Sequence, residues 1–427
     1  LCGAARSRGA RGGLLALALS VMLLILQHLG DVVVGNSGDG NILLRPNHSQ
    51  PIALPGGRPD TRAIVAGDIV GDDGLVDIAV GGWPNVSLML LRNHGSRNFT
   101  AAALPGMPLP PGTGTGTGTG TGNGNGTGTF AVWTEALALA DVDGDGDLDL
   151  IVANNEEPNY LLLNGPTGFS RGVALPGGSG LVTGSLAVGD IDGDGDVDIL
   201  LGNDGAPNQV LLNTDGRGTF ELSSTLPGRC ESKTRAGRMV KVECWTRALA
   251  LVDVDGDGDL DAIVGNRFGA NFLVPNLGGG VFGDAHVITP GNAGFDGVGP
   301  TVALAVGDVD GDSHVDLVFG EEGAPNLLVR SNGAGGFEAA TELPGQACSS
   351  PDCPSTTAVL LGDVDGDGWL DVVVGNDGDP NVVLRGNGYS GFALPVDLPG
   401  SPNAYTRALA LAPLSPRAVG SDEHGAF

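Results

Sequence analysis

Basic residues, aromatics and helical patterning are all scarce in this chain of 427 residues. Lys and Arg number 21 against 50 Asp and Glu, a formal net charge of −29. No basic face is available to neutralise phosphates, which excludes nucleic acid as a partner. Outside the N-terminus no run repeats apolar residues at helical spacing, so helical bundles and helical solenoids are excluded. Catalytic signatures are also missing. There is no GxSxG, no P-loop and no Rossmann fingerprint, and the six histidines are scattered with no HExxH pairing. The expectation is a protein that is not an enzyme.

Cysteine is sparse, at five residues. Cys230 and Cys244 share one insertion, and Cys348 and Cys353 share another; Cys2 is left over. Each local pair reads as a disulfide in an oxidising compartment, with reduced thiols in a cytosolic protein as the alternative. Sequons at Asn47, Asn85, Asn98 and Asn125 agree with a secreted or cell-surface glycoprotein. Long apolar runs are limited to 14–26, broken only by Ser20 and preceded by Arg6, Arg8 and Arg11. It reads as a signal or short anchor, the one expected contact with a membrane, or equally, over 14–19, as a strand of a degenerate repeat.

What the chain has in excess is glycine, 75 residues, and ordered aspartate. Residues 141–149 read DVDGDGDLD, 190–198 DIDGDGDVD, 253–261 DVDGDGDLD, 308–316 DVDGDSHVD and 363–371 DVDGDGWLD. Places 1, 3, 5 and 9 are always Asp: Asp141, Asp143, Asp145 and Asp149; Asp190, Asp192, Asp194 and Asp198; Asp253, Asp255, Asp257 and Asp261; Asp308, Asp310, Asp312 and Asp316; Asp363, Asp365, Asp367 and Asp371. Carboxylates this dense repel one another unless a cation neutralises them or water solvates them fully. Calcium, which takes about six to eight oxygens, is the ion such a loop suits; a solvated turn without metal is the alternative. Place 7 is Asp147, Asp196, Asp259, His314 or Trp369. A place that accepts all three residue types is expected to offer its backbone carbonyl. Place 6 is Gly except at Ser313, where the turn calls for positive φ. An EF-hand is excluded, because place 12 is apolar (Val152, Leu201, Val264, Phe319, Val374) where that loop needs a bidentate Glu. A sixth loop at 68–77 has one extra residue and Val70 at place 3, and the N-terminal unit keeps only Asp31.

One template runs through the chain: LPG, a variable stretch, TRALALxD, the acidic loop, an apolar strand, GNxGxPN, LLLxN, a glycine turn and Phe. LPG or its variant begins at Leu54, Leu104, Leu175, Leu226, Thr289, Leu343 and Leu398, at intervals of 50 to 71 residues. Each unit offers four short strands. In the copy at Ala136 these are ALALADV, LDLIVAN, NYLLLN and a fourth from near Phe169. Four-stranded units at this period predict an all-β fold, a β-propeller. Residues 31–47 match 371–387, so the chain enters its repeat at strand two and leaves it at strand one, TRALALA at 406–412. The two ends would share one blade and remove two open edges, which gives seven blades, or eight if 14–19 is a strand. The expected division is a signal-like or degenerate segment at 1–30, the propeller at 31–412 and a tail at 413–427.

Acidic loop, GN turn and apolar strands together resemble the FG-GAP/VCBS repeat family, over roughly 31–412. Its relatives include the seven-bladed propeller at the head of integrin α subunits, although LPG occupies the region where the family carries Phe-Gly. The resemblance implies calcium in the loop between strands one and two, held by the Asp residues at places 1, 3, 5 and 9.

In such a ring the acidic loops leave one face. The insertions at 107–133, 229–245, 291–300 and 346–357 leave the other, as do the GNxGxPN turns. Variable loops on a rigid ring suit recognition. The expected function is non-catalytic, calcium-dependent binding of a protein or glycan by a monomer. The alternative is a polysaccharide-active site in the channel, which needs convergent Arg, Lys, His or Glu; strand one is expected to face the axis with Ala, Leu and Gly instead. Trp133 and Trp245 precede strand one in matching positions and read as packing caps, with sugar platforms the alternative. The Gly/Thr stretch at 111–129 cannot bury apolar area and reads as a flexible tether or as repeat slippage.

Overall fold

A computed structural model describes residues 31–37, 39–44, 51–56, 60–71, 73–83, 88–96, 98–104, 133–178, 180–228, 230–233, 239–242, 244–289, 300–345, 353–388, 391–399 and 405–412. These form seven four-stranded antiparallel sheets, each a blade of a propeller, plus one small hairpin. Blade 1 joins Asp31–Asn36, Ile42–Leu44 and Ile52–Ala53 to the last strand, Thr406–Ala412. Blades 2 to 7 follow in chain order at 60–103, 134–174, 183–225, 246–289, 301–342 and 356–397.

The strand-two segments are apolar along their whole length for a physical reason. DLIVAN, DILLGN, DAIVGN, DLVFGE and both DVVVGN copies are buried at every residue. Each is covered on both faces by the neighbouring blades, so neither face favours polar residues. The core is accordingly seven separate hydrophobic clusters, one between each pair of adjacent blades. Val33, Leu43, Ile78 and Leu91 join blades 1 and 2, and Val373, Val364, Val32 and Leu44 join blades 7 and 1.

The shared blade closes this ring. Asp31 pairs with Ala412 and Val33 with Ala410, in the same register as Asp149 with Ala140. First strands touch blade to blade around a full cycle of seven, with the strand at 406–412 completing it between blades 7 and 2. An eighth blade has no place in this cycle, and residues 1–30 lie outside those described.

The GN and PN motifs fasten blade to blade. Gly35 and Gly81 at strand-two ends face Thr61 and Thr134 of the next blade so closely that a Cβ would lie 2.7 and 2.6 Å from the methyl. That threonine is held from both sides. Thr183 Oγ1 donates to Asn203 Oδ1 of its own blade (3.0 Å) and accepts from Asn159 Nδ2 of the preceding one (2.9 Å). The same relay joins Asn271 to Thr301 (2.8 Å) and Asn381 to Thr406 (2.8 Å). Leucine of LPG is pinned by its N–H to the carbonyl of the PN asparagine, as Leu175 to Asn159 at 2.8 Å.

Strand four differs from expectation. In blade 3 it is only Val173–Ala174, both exposed, and starts after Phe169 rather than at it. Phe169 instead packs into the cluster between blades 2 and 3. Its counterparts Phe282, Phe337 and Phe392 each make one isolated bridge before the chain departs. The outermost strand has no further strand beside it, so burying the phenyl ring takes precedence over extending the ladder. The hairpin, Cys230–Lys233 with Met239–Val242, lies within the insertion between blades 4 and 5. Among the described residues no helix is long and apolar enough to cross a membrane.

Candidate metal centres and the opposite channel mouth

Each acidic loop is drawn tight by its own aspartates. The place-1 carboxylate accepts the N–H of place 4 with one oxygen and of place 6 with the other, at 2.6–3.1 Å in all five loops. The turn holds place 6 at positive φ even where it is not glycine, as at Ser313 (φ 70°). Place 9 is buried and accepts two backbone N–H groups, one from place 2 and one from the end of strand three, at 2.7–3.0 Å.

This folding brings three carboxylates together per loop, with oxygens within 4.8 Å of one another: Asp141, Asp143 and Asp149; Asp190, Asp192 and Asp194; Asp253, Asp255 and Asp261; Asp308, Asp310 and Asp316; Asp363, Asp365 and Asp371. Place 5 joins the cluster only at Asp194. Elsewhere Asp145, Asp257, Asp312 and Asp367 are exposed and accept the N–H of place 7 at 2.8–2.9 Å. In four loops the place 7 side chain turns toward the next hairpin turn. Asp196, Asp259, His314 and Trp369 lie against Gly216, Gly278, Gly333 and Gly388 of the turn joining strands three and four. That leaves the backbone carbonyl as what place 7 can offer. In the 68–77 loop, Asp72 lies outside the described residues, and Asp77 keeps its two backbone bonds without joining a cluster.

An all-oxygen, all-carboxylate donor set suits a hard divalent cation. Electrostatics agree. Burial pushes the Asp149, Asp198, Asp316 and Asp371 carboxyls up to about 6, against the pull of the amides they accept. Asp143 and Asp192 are raised by burial first and by neighbouring carboxylates second. Burial is the first cause throughout, and the neighbouring carboxylates add to it.

Two loops carry an internal competitor. Arg330 Nε lies 3.1 Å from Asp310, and Arg385 pairs with Asp365, both at place 3. Replacing both by Ala is expected to tighten these two sites about two- to fivefold, the range of a partly exposed ion pair. Calorimetric calcium titration reads it; an unchanged isotherm means the arginines do not compete.

The other end of the channel is not lined as expected. The residue after the strand-one threonine is Arg62, Glu135, Gly184, Arg247, Val302, Thr357 and Arg407 in blades 2 to 7 and then 1. Arg247 pairs with Asp204 and lies 3.7 Å from Glu135, two blades away, while Arg407 holds Asp377 at 3.0 Å. Arg267 forks onto Glu322 of the next blade at 2.9 Å. Burial, then Arg407 nearby, lowers the Arg62 pKa, with Asp60 opposing. Burial lifts the Asp204 carboxyl to about 6 despite Arg247. The residue before the threonine is Trp133, Trp245 or Tyr405 in three blades; all three leave part of the ring exposed, while Trp245 also packs edge-on against Phe268. The available signal was the triplets WTE, WTR and YTR, an aromatic and a charge on either side of the strand-one threonine.

The FG-GAP-like repeat profile matches residues 141–201, 253–319 and 308–374, each stretch opening on an acidic loop. The chain carries FG-GAP-like repeats over these stretches. No curated protein matches this FG-GAP-like chain by sequence. Among solved structures it is similar to an Agrocybe aegerita lectin specific for non-reducing terminal N-acetylglucosamine, at 19% identity and TM-score 0.59, covering 91% of this chain and 96% of that one. The BP39L lectin from Burkholderia pseudomallei aligns at 12% identity and TM-score 0.58, covering 87% and 97%. A candidate 6-phosphogluconolactonase from Bacteroides fragilis aligns at 12% and TM-score 0.53, covering 90% and 98%. At these identities the likeness is one of fold.

Proposed function

We propose that this FG-GAP-like propeller is a non-catalytic, extracellular calcium-binding protein that recognises a protein or glycan ligand with the face opposite its acidic loops. The observation that carries the reading is the recurrence of one carboxylate cluster in five successive blades, each gathered within 4.8 Å. Five ions would offset ten of the negative charges and hold one face rigid, leaving the insertions and GN turns of the other face to bind. Millimolar extracellular calcium matches the affinity of exposed modules of this kind, a Kd near 10⁻⁴ to 10⁻³ M.

Secretion or surface display draws further support from the cysteines. The hairpin sets Cys230 opposite Val242, two residues from Cys244, which puts both cysteines of that insertion at one end of the ladder. Cys348 lies outside the described residues. Of the four sequons only Asn98 is described, and it is exposed.

Equilibrium dialysis against calcium is the direct test. About three to four ions per chain at 1 mM calcium, rising toward five at higher concentration, are expected, and fewer than one would refute the reading. The catalytic alternative draws on the charged channel mouth. It predicts cleavage of a polysaccharide, which a reducing-end assay on the same protein would detect; binding without turnover is the expected outcome.

A further inference from the structure

We propose that the mouth of the central channel, on the face opposite the acidic loops, binds a neutral glycan. The inference deepens the recognition reading and takes its choice of face from it; it names the site and the ligand class.

The charged groups here converge across the axis rather than lying along a blade edge. Arg247 of blade 5 reaches Glu135 of blade 3 by passing over Gly184 of blade 4, where a Cβ would sit 3.2 Å from Arg247 Cδ and 2.8 Å from the Thr246 carbonyl. Any larger residue at 184 would close that path.

Polar capacity is left over at the same place. Asp204 has a side chain only 6% exposed, and its Oδ1 has no hydrogen-bond partner. Nε of Arg247 and Nε of Arg407 are likewise buried without one. Buried polar atoms are nearly always satisfied, so a site that leaves both donors and an acceptor unmatched suits a ligand that offers both. A sugar hydroxyl is such a group, and a planar guanidinium or carboxylate can engage two neighbouring hydroxyls at once.

Apolar platforms stand beside these groups. Trp133, Trp245 and Tyr405 are 42%, 41% and 51% exposed. Each lies two residues before Glu135, Arg247 or Arg407, with only the strand-one threonine between them, so ring and charge flank the same threonine at a bulge in the strand. Phe268 stacks edge-on to Trp245 at 5.1 Å, with Arg267 5.6 Å from its ring centre, which fixes that platform in place. An indole or phenol face packs against the C–H face of a sugar, while the ring edge stays wet.

Charge selects the class. The mouth holds four arginines and five carboxylates, one net negative charge, within a chain of −29. A polyanion is repelled by such a field, whereas a neutral glycan is not.

The test uses the full chain in millimolar calcium. Neutral hexasaccharides of glucose, mannose and N-acetylglucosamine form the panel, and polygalacturonate is the anionic arm. Binding is followed by calorimetry and by tryptophan fluorescence. At least one neutral member is expected to bind, and Trp245→Ala and Arg247→Ala are each expected to weaken it at least tenfold. Arg247→Lys, which keeps the charge and loses the fork, should weaken it nearly as much. All three variants should keep the wild-type calcium stoichiometry, which separates loss of the site from loss of the fold. No binding by any neutral member, binding of polygalacturonate alone, or full affinity in the variants would overturn the proposal. A normal calcium count with any of these results refutes the mouth and spares the recognition reading. An absent calcium count with glycan binding lost in the variants does the reverse.

Discussion

Removing calcium is expected to lower the melting temperature by roughly 3–9 °C relative to 1 mM calcium. The estimate is linkage. A site with a Kd of about 10⁻³ to 10⁻⁴ M at that concentration adds about 0.4–1.4 kcal/mol to the folded state. Five independent sites then add about 2–7 kcal/mol, a large share of the 5–15 kcal/mol typical of a domain. With an unfolding entropy near 2 cal/mol/K per residue, a propeller of this size changes by about 0.8 kcal/mol per degree, which converts one range into the other. The five loops hold 23 of the 50 acidic residues, so part of any salt effect is plain screening. A sodium control at equal ionic strength removes that part, because screening lacks ion identity and coordination does not. Magnesium, which demands a smaller octahedral shell and keeps its waters, is expected to recover less than half of the shift. Identical melting in chelator and in calcium would sink the metal assignment for all five loops together.

Much of this molecule was legible in its sequence because the chain repeats itself. A carboxylate spacing that appears once is weak; the same spacing in front of the same apolar strand, five times over, fixes both the loop and the strand. The shared blade was legible for a related reason. DVVVGN occurs at 31–36 and again at 371–376, and only a ring gives a unit that starts at strand two a use for a strand one at the far end of the chain. What stayed hidden lies where the repeats disagree. Arg62, Glu135, Gly184 and Arg247 occupy one template position, and reading that position as an average erases the interaction that crosses Gly184 from blade 5 to blade 3. Strand four was misplaced because Phe169 suits a strand by propensity, whereas a half-exposed edge rewards burying its ring. Whether place 5 or place 9 supplies the third carboxylate differs between loops of identical spacing and identical backbone hydrogen bonds, so the sequence pattern does not carry it.

Glu321→Gln is expected to stabilise the protein at pH 8 by about 3–5 kcal/mol. Five blades carry Asn at the end of strand two: Asn36, Asn154, Asn203, Asn266 and Asn376. There the amide nitrogen donates to a carbonyl of the following turn, as Asn154 Nδ2 to Pro158 at 2.7 Å and Asn203 Nδ2 to Pro207 at 2.8 Å. Blade 6 has Glu321 in that place, fully buried. Its Oε1 accepts from Thr301 Oγ1 at 2.7 Å, while Oε2 is buried with no partner. Burial raises the carboxyl from 4.5 to about 8, with the threonine bond as the opposing effect. The fold therefore holds a proton that the unfolded chain releases. The stability this proton confers is complete below pH 4.5 and drains away as pH rises from there to about 8. A shift of that size, at about 1.4 kcal/mol per pH unit, sets the upper end of the gain. Glutamine keeps the shape, removes the charge and restores a donor. The readout is the difference in unfolding free energy between variant and wild type, measured from pH 5 to 9 in saturating calcium. Titration of the acidic loops is common to both proteins and cancels. The difference should be small at pH 5, climb through pH 7 and level off above 8. A difference that is flat in pH would mean that Glu321 is ionised throughout, with a partner that neutralises it.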